Sequence, residues 1–208
     1  MKRALIAIVL VNLAGAGMTH AEDIPAADTL VWCGLDYSMV KMIGTGDFRK
    51  PENIFPEMLV KWNSLFMKEM LPELEGMARS AVTDLKAVEA RNEKASANQI
   101  AHEDGTRDEM VNHSHITEAN IADAVRSYEL KHDKGIGLVF IIDRLVKLQA
   151  TGCLYVVFFD VASRKVVSSE RVCADAGGAG FRNYWFKPIK TTVGKLPNMY
   201  KQAKLKRV

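Results

Sequence analysis

The residues able to do chemistry are few and scattered. The 208-residue chain holds three cysteines, Cys33, Cys153 and Cys173. Zinc sites and dithiol oxidoreductases use C-x-x-C pairs so that two sulfurs meet one metal or each other, and no such pair occurs. His113 and His115 alternate, as two metal ligands on a strand would, but no acidic or cysteine partner stands at ligand spacing, so no metal is expected. Asp143 and Asp160 fall on apolar runs and could form a carboxylate pair. Each position also suits a strand end, with Asp160 organising a turn through its side chain. The chain contains no G-x-S-x-G, H-E-x-x-H, P-loop or dinucleotide-binding glycine pattern. Ala176-Gly177-Gly178-Ala179-Gly180 lacks the Lys-Ser/Thr that follows a phosphate loop and leaves a strand with no obvious helix directly behind it. It reads as a tight crossover. No catalytic residue and no cofactor is expected from these patterns.

The crossover leads into Phe181-Arg182-Asn183-Tyr184-Trp185-Phe186-Lys187. Binding energy concentrates on Arg, Tyr and Trp, which makes Arg182, Asn183 and Trp185 the candidate partner surface. In the alternative reading Phe181, Tyr184 and Trp185 lock the crossover onto a sheet, and Arg182 meets a local carboxylate.

Elements must position these groups, and the strongest stretch is Gly135–Trp185. Leu138–Ile142 and Leu154–Phe159 are apolar on consecutive residues and rich in β-branched or aromatic types, which suits strands covered on both faces. A polar break around Asp160–Lys165 before Val166-Val167 predicts an antiparallel hairpin. A turn centred near Ser163 sets Phe159 opposite Val167, Tyr155 opposite Arg171 and Cys153 opposite Cys173. Opposed strand positions lie within bridging reach, so Cys153–Cys173 is the expected disulfide and Cys33 the thiol left buried.

Earlier in the chain, Thr29–Ile43 reads as a first strand. A helix is expected from Glu52 or Asn53, since Phe55, Met58, Leu59, Trp62, Leu65, Phe66 and Met70 recur at three- and four-residue spacing. Pro72 should kink or end it, with Gly76 a second stop. Across Ser80–Asp108, Val82, Leu85 and Val88 fit a helical face while a strand over Val82–Ala90 fits nearly as well; Arg91–Asp108 reads as an exposed connection. Thr117 or its predecessor can cap a helix over Glu118–Tyr128, and Ile189–Leu205 offers a final helix whose start Pro197 obscures. The resulting order is strand, helix, an ambiguous segment, helix, strand, strand, helix. It predicts an α+β fold with a mixed sheet, a central antiparallel hairpin and amphipathic helices packed on it.

The N-terminus has the pattern of a secretory signal. Met1-Lys2-Arg3 is basic, Ala4–Ala16 is small or apolar, and Thr19-His20-Ala21 places small residues before Glu22. The apolar core is too short to span a bilayer comfortably, so no membrane-spanning segment is expected. Residues 1–21 are then a signal peptide and 22–208 a single domain, periplasmic or secreted after cleavage. Loss of Lys2 and Arg3 lowers the formal charge from +3 to +1. That near-neutral balance argues against nucleic acid as a partner. Lys201–Val208 holds four Lys or Arg and no acid, either as a solvated helix end or as a contact for an anionic partner.

The element order and the Phe158-Phe159-Asp160 hairpin resemble small bacterial envelope domains such as those of the curli-secretion protein CsgG and the TolB N-terminus, a resemblance of layout. Gly135–Phe140, Phe158–Asp160 and Gly180–Trp185 resemble a group of uncharacterised exported bacterial proteins, which implies export and a shared fold. The expected function is a non-enzymatic protein-binding or assembly module of the envelope or exterior, engaging an envelope protein or a second copy. The alternative is a small hydrolase or ligand-binding protein with a pocket near the crossover 176–185. Mass spectrometry of the exported protein should find Glu22 as its first residue; an intact Met1 on exported material would contradict the signal assignment.

Overall fold

The computed structural model describes residues 29–44, 48, 53–96, 99–101 and 111–207. The expected signal peptide 1–21, its cleavage point and parts of the 91–108 connection lie outside them. In order, the elements are β1 (Thr29–Asp36), β2 (Lys41–Ile43), a π-helical turn Ile54–Met58 leading into α1 (Leu59–Glu69), α2 (Leu71–Glu75), β3 (Ser80–Thr83), α3 (Lys86–Asn92), β4 (Ile100–Ala101), α4 (Glu118–Ser127), β5 (Ile136–Val146), β6 (Thr151–Asp160), β7 (Val166–Asp175), α5 (Gly180–Val193) and α6 (Leu196–Arg207).

The fold is α+β, built on one mixed seven-stranded sheet. β5 is its axis, and all eleven of its residues are buried. β6 pairs antiparallel along one edge of β5 from Ile136 to Val146, so β1 and β2 share the other edge, both parallel to it. β3 then adds to β1 and β4 to β2, again parallel. On the far side β7 pairs with β6 alone. A strand bonded along both edges and covered on both faces cannot alternate polar and apolar residues, which is why β5 reads as a continuous apolar run.

Each face carries its own core. On one, Trp32, Leu138, Phe140, Val156 and Phe158 meet Trp62 and Phe66 of α1, Trp185, Phe186 and Ile189 of α5, and Leu196 and Tyr200 of α6. Trp32 stacks on Phe66 with ring centroids 4.1 Å apart. On the other, Val31, Cys33, Val139, Val157 and Phe159 meet Val88 of α3 and Ile121, Ala124 and Val125 of α4. Thr117 caps α4 through a reciprocal pair with Asn120, satisfying helix-end donors as expected at that position.

Several expectations need correction. The first strand is broken at Tyr37–Val40 by a turn closed by Val40 N–H to Tyr37 O, 3.2 Å. The helix expected from residue 52 or 53 is kinked at Phe55, which takes extended dihedrals (φ −110°, ψ 121°), the conformation Pro56 imposes on its predecessor. The ambiguous segment is both strand and helix, β3 followed by α3. Three strands, not two, follow α4. The glycine-rich stretch does lead directly into a helix: Gly178 and Gly180 adopt φ of +113° and +74°, and α5 starts at Gly180, so Phe181–Lys187 lies in its first turns.

The hairpin register holds for Tyr155↔Arg171 and Cys153↔Cys173, but a bulge between Phe158 and Phe159 sets Phe159 opposite Val166 instead of Val167. Phe159 also faces Gly137 across β5–β6, and its ring fills the space a side chain would need: a Cβ on Gly137 would lie 2.2 Å from Phe159 Cζ. Gly137→Ala should therefore destabilise the protein by about 1–3 kcal/mol through overpacking. Phe159→Leu in the same chain should relieve part of that added cost, as read by denaturant unfolding.

Candidate functional site

Two buried carboxylates organise the polar interior. Asp143 follows Val139 and Ile141 on the α4 face by strand alternation, at a bulge between Ile142 and Arg144 in β5. Arg171 of β7 reaches it with Nε and Nη2, each 2.8 Å from Oδ2. Ser114 Oγ donates to Oδ1 at 3.0 Å, and His115 Nδ1 lies 3.1 Å from the same oxygen. Arg144 Nε stands 3.6 Å from Oδ2. Burial pushes the Asp143 carboxyl up, yet His115, Arg171 and Arg144 together outweigh it and hold it below its ordinary value of 3.8. Arg171 also donates to Val111 O and Asn112 O, and Tyr155 donates to Ile116 O. The segment 111–117 is thus strapped across β5–β7 by side chains instead of strand pairing.

Ser114, His115 and Asp143 bring together a hydroxyl, an imidazole and a carboxylate, but not in the order that activates a nucleophile. In a catalytic triad the imidazole stands between the other two. Here Ser114 and His115 converge on one carboxylate oxygen, and His115 Nε2 lies 2.8 Å from Met39 O. The hydroxyl has no base to take its proton, so the trio serves as a knot that holds the strap. His113 is exposed, and among the described residues no three His, Cys, Asp or Glu side chains gather in a way that could hold a metal.

Asp36, fully buried at the end of β1, is the second centre. Arg91 Nε and Tyr128 Oη donate to its Oδ2 at 2.9 and 2.8 Å, and Ser38 N–H donates to Oδ1 at 2.9 Å. Burial first, then the Asp36 charge and its bond, raise the Tyr128 phenol well above its ordinary value. Asp36 lies beside a gap between β3 and β4 where carboxamides replace a strand. Asn63 accepts from Leu35 N–H at 2.8 Å, Asn92 accepts from Tyr37 N–H at 2.8 Å and donates to Leu35 O at 2.9 Å, and Gln99 donates to Ser38 O and Val40 O at 3.0 and 2.9 Å. A cleft of about 290 Å³ opens there, lined in part by Tyr37, Ser64 and Glu89. It lies at the carboxyl end of a parallel strand, where open α/β sheets bind ligands. Its amides, however, are committed to the backbone.

The sequence-derived candidates separate. Trp185 is buried at 3% exposure, stacked on Phe48, so it packs the core and offers nothing to a partner. Arg182 and Asn183 are exposed on α5. Arg182 Nε donates to Asn183 Oδ1 at 3.2 Å; no carboxylate among the described residues takes the place expected for it. The crossover forms an open depression of about 380 Å³ with Lys61 and Arg182 on its rim. Cys153 and Cys173 are joined by a disulfide with Cα atoms 4.1 Å apart, and Cys33 is a buried free thiol raised by burial. Asp143 and Asp160 do not pair. Asp143 lies beside Cys153 in the ladder while Asp160 ends β6, about 23 Å away at strand rise, where it accepts from Ser163 N–H at 2.8 Å.

Sequence reasoning missed Arg171, Asn63, Asn92 and Gln99. The one available signal was Asp143, a charge inside an unbroken apolar run, which demands a buried partner.

Among the described residues no helix is long and apolar enough to cross a membrane. Exposed large hydrophobic side chains there are Val60, Leu148 and Leu205, on separate elements, so they form no apolar patch of the kind that marks an interface. Neither protein-family models nor curated proteins yield a match to this chain. Among the described residues the outer edge of β7 pairs with no further strand.

Because the folded Asp143 pKa lies below its unfolded value, its contribution to stability is complete above the unfolded pKa, near 4, and is lost as pH falls through the folded one. Asp143→Asn should cost about 3–5 kcal/mol at neutral pH, since it leaves the largely buried guanidinium partners without their counter-charge. The gap between wild type and variant should narrow below about pH 4, as followed by urea unfolding at stepped pH.

Proposed function

We propose that this protein is an exported, non-enzymatic module that binds a partner protein by accepting one of its strands on the β7 edge. The observation that carries the reading is that β7, ten residues long without proline or glycine, pairs only with β6 among the described residues. Long open edges template strand addition, and protein sheets ordinarily blunt or cover them. β3 and β4, by contrast, are four and two residues long.

The polarity of the edge follows from the disulfide position. Cα atoms 4.1 Å apart at Cys153–Cys173 mark a non-hydrogen-bonded pair. Alternation along the register then makes Tyr155↔Arg171 and Val157↔Ser169 non-hydrogen-bonded too. Ser169, Arg171 and Cys173 therefore turn their N–H and C=O groups away from β6, toward the open side. The disulfide and the Arg171–Asp143 bond hold this edge straight, which lowers the ordering cost of pairing. Export is supported by the residue pattern of 1–21 and by a cross-strand disulfide, which suits an oxidising compartment.

The ligand-binding alternative has less to recommend it. The depression at 176–185 is open and, among the described residues, gathers no buried convergent polar side chains of the kind that fix a small molecule.

A photo-reactive amino acid placed at Ser169 should give a discrete protein adduct in intact cells, in the periplasmic or secreted fraction, whereas the same group at exposed Leu148 should not. Adducts from Arg182 or Asn183 but none from Ser169 would move the interface to α5 and overturn the edge reading.

A further inference from the structure

We propose that the strand taken up at β7 is acidic as well as apolar, with its apolar side chains entering the groove between β7 and α6 and its carboxylates meeting the lysines of α6. This rests on the edge reading above and adds the chemistry of the partner.

The groove has a volume of about 490 Å³. Its floor is apolar: Val156 and Phe158 of β6, with Met199 of α6. Lys195, just before α6, and Met199, Gln202 and Lys206 of α6 line its other wall. Their spacings of four, three and four residues put them on one stripe of a helix. Both lysines are exposed. Helix α6 adds Lys201 and Lys204 and carries no acidic residue. One carboxylate, Glu170 of β7, also lines the groove. It stands against two ammonium groups and lies on the strand side, so an incoming acid belongs toward the helix.

Edge and groove act together. A strand hydrogen-bonded to Ser169, Arg171 and Cys173 sends alternate side chains to the face that α6 covers. There its side chains pass Ser168 and Glu170 of β7 before they reach the Val156–Phe158–Met199 floor and the lysines. A second copy of this chain fits less well. Two-fold antiparallel pairing of β7 with its equivalent would continue the sheet and bring both α6 helices to the same face, so that two lysine stripes would meet across one junction. Like charges facing each other oppose association and select against such a partner.

The test uses the full chain with two labelled peptides of ten residues, the length of β7, one repeating valine-threonine-glutamate-threonine and the other valine-threonine-lysine-threonine, so that valine and the charged residue share one face, read by fluorescence anisotropy. The glutamate peptide should bind more tightly by about tenfold or more, with affinity falling as salt rises. Lys195→Glu with Lys206→Glu should reverse the preference. Ser169→Pro should abolish binding of both, because it removes an outward N–H that the sheet itself does not use.

Equal binding of the two peptides, still abolished by Ser169→Pro, would overturn the acidic preference and leave the edge reading standing. No binding, or binding indifferent to Ser169→Pro, would overturn both. A dimer in sedimentation that Ser169→Pro dissolves, with no peptide bound, would make the occupant a second copy and overturn the acidic strand. If Ser169→Pro melts well below wild type, the exposed lysine variants carry the test by themselves.

Discussion

Strand β5 is the element on which the rest depends. Its backbone is hydrogen-bonded along both edges and its side chains are covered on both faces. Burying a polar backbone is tolerable only when every N–H and C=O finds a partner, so β5 can exist only with β1, β2 and β6 in place. Those neighbours in turn bring the helices that cover them: α1, α5 and α6 on one face, α3 and α4 on the other. Gly137 sits within this strand, where the Phe159 ring approaches so closely that no other residue fits without repacking.

The two sides of the sheet meet the edge problem differently. On the β1 side, strand pairing is interrupted between β3 and β4, and Asn63, Asn92 and Gln99 hydrogen-bond the exposed stretch of backbone. These side chains come from α1, α3 and the approach to β4, so closing that edge also fixes where those segments sit. On the β7 side no comparable carboxamide caps the outward groups among the described residues. On the proposed reading, that asymmetry leaves the open side to a partner and the closed side to the fold.

The buried charges have a related role. Asp143 and Asp36 each gather an arginine and further donors from segments that contribute little to the sheet: the strap 111–117 for one, α3 and Tyr128 for the other. A buried carboxylate left without such partners would be costly, so each holds its neighbours in one arrangement. The strap's attachment through Arg171 also ties it to β7, the strand whose edge is open.

The sequence by itself determined the class of fold and much of its centre. Continuous apolar runs at 138–142 and 154–159 demanded strands buried on both faces, and the turn near Ser163 set Cys153 against Cys173 through a period of two. Helical spacing from Phe55 to Met70 and the Thr117 cap were equally local signals, because each depends on residues within a turn or two. Only the tertiary structure decided the rest. It put Trp185 in the core while Arg182 remained exposed, since the two lie about one turn apart at the start of α5 and only the position of the sheet decides how much of that turn it covers. It divided Ser80–Asn92 between β3 and α3, because β1 supplied a parallel edge to a segment whose own propensities were balanced. It also joined Asp143 to Arg171, and Asn63 and Asn92 to one stretch of β1. Those partners are distant in sequence, and residue spacing carries no information about contacts formed only when the sheet closes.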